Sequence, residues 1–256
     1  MSGGVLERIL ADKRTRLARG EFVPAGTPDR PSSGRDFVAA LREPGTRIVA
    51  EIKARSPSAG EILADADGRL ETIALAYRRG HAAALSVVTE QDHFGGRPDW
   101  LPRAKRMSGL PALLKDFLLE ERQLDFALSL GADAVLLIVA ALGDGELAAL
   151  REGAARRGLA AVVEAHDANE VRRAAAVSPD VLGVNARDLA TFATSLDAVA
   201  ALGRSIPPGP VRLAESAIRT AQDVARLRAA GYEAFLVGEA LLRSGEPEET
   251  LRELRA

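Results

Sequence analysis

The chain has 256 residues, with 34 basic against 36 acidic side chains, a formal net charge of −2 and no cysteine. That balance excludes the basic footprint of a nucleic-acid binder, and the missing thiols exclude disulfides, cysteine nucleophiles and cysteine-ligated metals. No apolar run reaches the ~18 residues of a membrane span, and Met1-Ser-Gly-Gly leads into a charged segment, not an apolar signal core, so a cytoplasmic protein with no membrane partner is expected.

Val5 to Arg19 reads as an amphipathic helix with Leu6, Ile9, Leu10 and Leu17 near one face, capped by Ser2 or a following glycine and stopped at Gly20. Pro24, Pro28 and Pro31, with several Gly and Ser, make Glu21–Gly34 a loop. A short helix over Asp36–Arg42 ends at Pro44-Gly45. Residues 1–46 are therefore a helical extension ahead of the first strand.

A unit then repeats. Apolar, β-prone runs occupy Arg47–Lys53, Ala83–Thr89, Pro111–Lys115, Ala134–Val139, Ala160–Glu164, Val181–Asn185, Val211–Glu215 and Ala234–Val237. They are nearly continuous in apolar character, as strands buried on both faces are. Helical patterns lie between them, as at Leu70–Arg79, Glu120–Leu130, Gly145–Arg157, Ala168–Ala176 and Thr220–Ala230. Gly80, Gly131, Gly158 and Gly231 each close a helix shortly before a strand, where a left-handed C′ residue favours glycine. Their spacing fits multiples of a βα unit of roughly 25 residues, the unit of an eight-fold barrel. The predicted fold is α/β, a (β/α)8 TIM barrel over 47–256 forming one domain with the extension. An open doubly wound sheet is the alternative. It would call for a G-x-G-x-x-G loop after the first strand, which is absent.

Seven of the eight strands end in polar residues: Glu51 and Lys53, Thr89-Glu90, Lys115-Asp116, Glu164, Asn185, Glu215-Ser216 and Gly238-Glu239. Alternation puts Glu51 and Lys53 on one side of their strand. A lone lysine at a strand end is usually a solvated residue. Agreement across seven ends argues instead for a site at the carboxyl face, where such barrels carry their chemistry. Turns at Ser56-Pro57-Ser58, Ser216-Ala217 and Gly238-Glu239 could offer hydroxyls and backbone N–H groups to an anion, and the loops after strands seven and eight are the frequent phosphate position. The three histidines, His81, His93 and His166, share no metal-ligand spacing.

Glu51-Ile-Lys53-Ala-Arg-Ser56-Pro57-Ser58, Leu114-Lys115-Asp116-Phe117, Val135-Leu-Leu-Ile-Val139, Val163-Glu164-Ala-His166, Gly183-Val-Asn185-Ala-Arg187-Asp188-Leu189, Ala214-Glu215-Ser216 and Val237-Gly238-Glu239 together resemble the indole-3-glycerol phosphate synthase family, in its order and near its spacing. The resemblance implies a barrel with an N-terminal helical extension and a lyase of tryptophan biosynthesis. Its substrate would be 1-(2-carboxyphenylamino)-1-deoxyribulose 5-phosphate, closed to indole-3-glycerol phosphate with loss of carbon dioxide and water. No metal and no organic cofactor is implied. The partner would be this phosphorylated small molecule, with other tryptophan-pathway enzymes as candidate protein partners.

By position in the motifs, Lys115 would be the general acid at the C2′ carbonyl, and Lys53 would hold the substrate carboxylate. Glu164 would be the base, Glu51 an acid or orienting partner, and Asn185 and Glu215 ligands of sugar hydroxyls that also position Glu51 and the lysines. A lysine acid works best with its pKa lowered toward the operating pH. Phosphate would lie on the Ser216-Ala217 and Gly238-Glu239 amides, with Ser56 and Arg187 beside them. Pro57, Phe94, Phe117, Leu136, Ile138, Leu189 and Phe192 would wall the aromatic ring. The chain departs from the family pattern at Ala217, where glycine is usual, at Ala59, where lysine is usual, and at Ala186. Phosphoribosylanthranilate isomerase, the nearest enzyme rival, looks to a cysteine base that this chain lacks. A Schiff-base aldolase and a phosphate-binding pseudoenzyme are the remaining rivals.

Overall fold

The computed structural model describes residues 4–24, 36–185 and 195–256. Eight parallel strands close into a barrel: β1 (Arg47–Ile52), β2 (Ala84–Val88), β3 (Ala112–Lys115), β4 (Ala134–Ile138), β5 (Ala160–Ala165), β6 (Val181–Asn185), β7 (Val211–Glu215) and β8 (Ala234–Val237). Each pairs with its sequence neighbours, and β1 closes the ring against β8 with Val49 opposite Leu236. The βα alternation leads to this arrangement, because successive parallel strands need a crossover helix.

Two helices precede the barrel, α1 (Val5–Ala18) and α2 (Phe37–Arg42). Asp36 caps α2 by accepting from the Val38 and Ala39 N–H groups. Phe37 and Leu41 then pack on Val49, Ala84, Leu113 and Ala234 and plug the amino end of the barrel. Around the outside run α3 (Ala66–Arg79), α4 (Trp100–Ser108), α5 (Arg122–Ser129), α6 (Asp144–Arg156), α7 (Ala168–Ala176), α8 (Leu196–Gly203), α9 (Ala221–Ala229), α10 (Glu239–Arg243) and α11 (Pro247–Arg255). A two-stranded hairpin, Arg55–Ser56 with Gly60–Glu61, lies between β1 and α3. None of the described helices is long and apolar enough to cross a membrane.

Three of the four helix-closing glycines behave as expected: Gly131, Gly158 and Gly231 have φ of 81°, 72° and 99°. Gly80 does not. Its φ is −75°, and His81 takes the left-handed turn with φ 59°. Glycine is needed at position 80 for a different reason. A Cβ there would sit 2.8 Å from Leu251 Cβ and 3.0 Å from the Glu248 carbonyl, so α11 could not pack so closely.

Strand alternation divides the core. Ile48, Ala50 and Ile52 of β1 face the helices, whereas Val49 faces the barrel interior with Leu113, Leu136, Val162, Val181, Leu213 and Leu236. Stepping two residues along each inward series reaches the carboxyl mouth. Val49 leads to Glu51 and Lys53, Leu113 to Lys115, Val162 to Glu164, and Leu213 to Glu215. The barrel core thereby aims its polar residues at one place.

Candidate active site

At that mouth, Lys115 Nζ lies 2.6 Å from Glu215 Oε2, 3.6 Å from Glu164 Oε2 and 3.7 Å from Glu51 Oε2. Glu51 turns its other oxygen to Lys53 Nζ at 2.5 Å. All three carboxylates are buried. Two glycines make room for them. A Cβ at Gly238 would stand 2.6 Å from Glu51 Oε1, and one at Gly183 would collide with Glu215 Oε1. Gly238 thus acts as space for a carboxylate on the neighbouring strand, with a φ of −127° and no left-handed turn. Tyr77 Oη donates to the Glu51 carbonyl at 2.9 Å and fixes the tip of β1.

Burial resists charge on every group here, and the neighbours decide the outcome. For Lys115, burial is outweighed by Glu215, Glu164 and Glu51, which drive its pKa far above the ordinary lysine value. The lowered value expected of a lysine acid is therefore overturned: three carboxylates surround a single ammonium. Burial also opposes ionisation of Glu51, but Lys53 and Lys115 hold its carboxyl below the usual range. Glu164 is held low against burial by Lys115 and then by His166. Glu215 moves the other way: its complete burial and the charge of Glu164 outweigh Lys115 and raise it.

A cavity opens above this cluster. Glu51, Lys53, Lys115, Glu164 and Asn185 face it, as do Ser56, Pro57, Phe94, Phe117, Leu136, Ile138, Ser216, Ala217, Gly238 and Glu239. Glu215 does not line it, being fully buried beneath Lys115. Arg187, Leu189 and Phe192 lie outside the described residues. Phe94 and Phe117 meet at one end, ring centroids 6.2 Å apart and planes tilted by 39°, and Leu136 and Ile138 form the apolar floor. At the other end, Ser216 and Ala217 are consecutive left-handed residues with φ of 66° and 60°. Ser216 Oγ donates to Asn185 Oδ1 at 2.7 Å. Ser56 Oγ accepts from the Ala59 N–H and lies 3.3 Å from Ser58 Oγ, shaping the loop after β1.

The extension contributes to the same cavity through Val5, Leu6 and Ile9 of α1. Its anchor is an ion pair that apolar patterning does not reveal. Lys13 lies on the buried face of α1 beside Ile9, Leu10 and Leu17, and its Nζ meets Asp116 Oδ1 at 2.6 Å, with side chains 1% and 6% exposed. Asp116 also accepts from Thr89 Oγ1 and from the Phe117 N–H. Glu90, next to Thr89, orders the adjoining loop at the same end of the cavity. Its carboxylate accepts the N–H groups of Asp92, His93 and Phe94, which sets the Phe94 ring. His166 joins the cluster without any metal-ligand spacing to announce it. It reaches Glu164 Oε1 at 3.2 Å and Glu170 Oε2 at 3.0 Å. Its signals in the sequence are its place in the inward series 162, 164, 166 running off the end of β5 and its place in the Val163-Glu164-Ala-His166 motif.

A parallel barrel whose carboxyl mouth places a buried ammonium among carboxylates, between an apolar wall and a strained turn, defines a (β/α)8 enzyme built for proton transfer. Residues 6–254 match the family model for indole-3-glycerol phosphate synthase. The chain is 45% identical over 241 residues to indole-3-glycerol phosphate synthase 2 of Streptomyces coelicolor, covering 94% of this chain and 91% of that protein. It is 41% identical over 249 residues to the Koribacter versatilis synthase, covering 96% and 94%. The chain belongs to the indole-3-glycerol phosphate synthase family. Among solved structures, orotidine 5′-phosphate decarboxylase of Pyrococcus horikoshii superposes with a TM-score of 0.63 at 15% identity, over 82% of this chain and 99% of that one, a likeness of fold alone.

Proposed function

We propose that the chain closes the indole ring of 1-(2-carboxyphenylamino)-1-deoxyribulose 5-phosphate, giving indole-3-glycerol phosphate, carbon dioxide and water, as a carboxy-lyase of tryptophan biosynthesis. The observation that carries this reading is Lys115, protonated among three carboxylates under a cavity with one apolar and one polar end.

In the first step the ring carbon bearing the carboxylate attacks the C2′ carbonyl. Negative charge grows on the C2′ oxygen, and Lys115 both stabilises and protonates it. A raised pKa does not obstruct this, because an alkoxide is a far stronger base than an amine. The high value keeps the ammonium charged through the working range. Lys53, held on Glu51, takes the substrate carboxylate until carbon dioxide leaves. In the dehydration that follows, the C2′ hydroxyl departs as water, and Glu164 accepts the proton lost from the new ring. Glu51 supplies or orients the acid for that departure. Asn185 positions the sugar, and Glu215, buried under the lysine, keeps Lys115 aimed.

The aromatic ring fits between Phe94 and Phe117 over Leu136 and Ile138, with Pro57 at the rim, and Leu189 and Phe192 complete the set by motif position. The phosphate falls to the backbone of Ser216-Ala217 and Gly238-Glu239, with Ser56 and Arg187 as its side-chain ligands. Residues 1–256 act in this reading as one domain, the extension closing the cavity edge. A multiply charged phosphate ester stays in the compartment where it is made, so in this reading the enzyme works in the cytoplasm, with other enzymes of the pathway as its neighbours. Mixing the protein with the substrate and following indole fluorescence tests the reading. A rise with one carbon dioxide released per indole is expected. No product at high enzyme, with tight binding of the substrate, would leave the pseudoenzyme reading in its place.

A further inference from the structure

The His166 side chain, 11% exposed, lies just past the end of β5, one inward step beyond Glu164. Its two nitrogens face two carboxylates on different elements. Nδ1 lies 3.0 Å from Glu170 Oε2 in the first turn of α7, and the same oxygen accepts the His166 backbone N–H at 2.8 Å. Nε2 lies 3.2 Å from Glu164 Oε1, yet it is buried and finds no well-aligned hydrogen bond among the described residues. The Glu170 contacts alone can be read as a helix-entry clamp. That reading leaves the Nε2 end unexplained, since a clamp does not require a buried donor directed at a carboxylate in the cavity.

We propose that His166 is a positioning residue for Glu164: its imidazolium, clamped by Glu170, fixes the carboxylate and keeps it ionised while it waits for the ring proton. This inference rests on the reading of Glu164 as the base. Glu164 is 3% exposed and faces Lys115 from β3, Glu215 from β7 and Glu51 from β1. Lys115 is the other cation beside it, and it is engaged at 2.6 Å by Glu215. It also surrenders its proton to the C2′ oxygen in the first step. The base must then act beside two further carboxylates with that positive charge gone. A second cation that does not take part in the carbonyl chemistry solves this, and His166 has the position for it. Burial disfavours the imidazolium, but Glu164 and Glu170 together hold its pKa at about 10.

The chain has three histidines, so ring-labelled protein gives three imidazole signals. His166→Gln assigns the one that disappears. Should that variant not fold, His81→Gln and His93→Gln assign it by elimination. The His166 ring is expected to stay doubly protonated from about pH 5 to pH 9, a range in which an unperturbed imidazole with pKa about 6.5 loses its proton. In Glu170→Gln it should begin to titrate within that range. In His166→Gln the acid limb of the kcat profile should move up by about one to three pH units, the usual effect of losing one close opposite charge, with KM within about threefold. A His166 signal titrating at the ordinary value overturns the proposal, as does an unmoved acid limb. The underlying reading fails separately: Glu164→Gln with near-normal kcat removes the base, whereas an inactive Glu164→Gln beside a neutral His166 removes only this inference.

Discussion

The two ends of the barrel both bury charge, in opposite ways. At the amino end, Asp133 meets Lys105 at 2.6 Å and accepts the Ala112 N–H at 2.8 Å, while Lys105 also donates to the Gly131 carbonyl. Each charge there has a committed partner and a further hydrogen bond to backbone. At the carboxyl end, one ammonium serves three carboxylates. Glu164 Oε2, Glu215 Oε1 and His166 Nε2 are buried there without a hydrogen bond among the described residues. Buried polar atoms left unsatisfied cost free energy, so their concentration at one end needs a reason. Substrate chemistry supplies it. The amino end is built to be stable and the carboxyl end to react.

The comparison can be broken most sharply at Glu164. Glu164→Gln keeps the shape and removes the base. Its kcat should fall by about 10²–10⁴-fold, the usual contribution of a positioned acid or base, in the fluorescence assay. Its melting temperature should fall modestly, because the ionised carboxylate that Lys115 and His166 favour in the fold is gone. At the other end, Lys105→Met strands a buried carboxylate. It should lose about 3–5 kcal/mol of stability in urea unfolding while kcat of the folded enzyme stays near wild type. A Lys105 variant that loses activity without losing stability would erase the distinction.

Ala217 gives a smaller effect. At φ 60° it holds a left-handed conformation that costs an L-residue about 1 kcal/mol or more. Ala217→Gly should lower KM by up to about fivefold and raise stability slightly, if this turn carries the phosphate. A KM that does not improve would count against strain at the phosphate site.

A further effect is the pH dependence of stability. The folded value of His166, about 10, lies above its unfolded value of 6.5. Its contribution is therefore complete below pH 6.5 and lost as the pH rises through 10. Glu215, raised in the fold, acts with the same sign starting from its own unfolded value. Glu164, lowered in the fold, acts oppositely, and its contribution disappears as acid protonates it. Thermal unfolding should show stability falling between pH 6.5 and 10, and falling less steeply in His166→Gln. One proton limits the difference in slope to about 1.4 kcal/mol per pH unit.

Much of this architecture is legible in the residues. Near-continuous apolar runs at βα spacing identify eight strands, and alternation from Val49 to Glu51 and Lys53 gives the direction of the site. What escapes the sequence has a common cause. Lys13 sits at helical spacing between Ile9 and Leu17, where apolar periodicity expects a leucine, and its partner Asp116 belongs to a strand end far along the chain. Gly80 resembles a turn residue because its tight packing against Leu251 belongs to the last helix of the chain. The direction of the Lys115 shift depends on three carboxylates lying within 4 Å, which strand order alone does not give. Pairings between distant segments decide all three, and local patterns do not carry them.

The central claim is that Lys115 is the acid of the ring closure, and single-turnover fluorescence on Lys115→Ala tests it most directly. With enzyme in excess over substrate, the wild type should form indole-3-glycerol phosphate in one rapid phase. The variant should bind the substrate and form product slower by about 10²-fold or more. Near-wild-type turnover by Lys115→Ala would contradict the account.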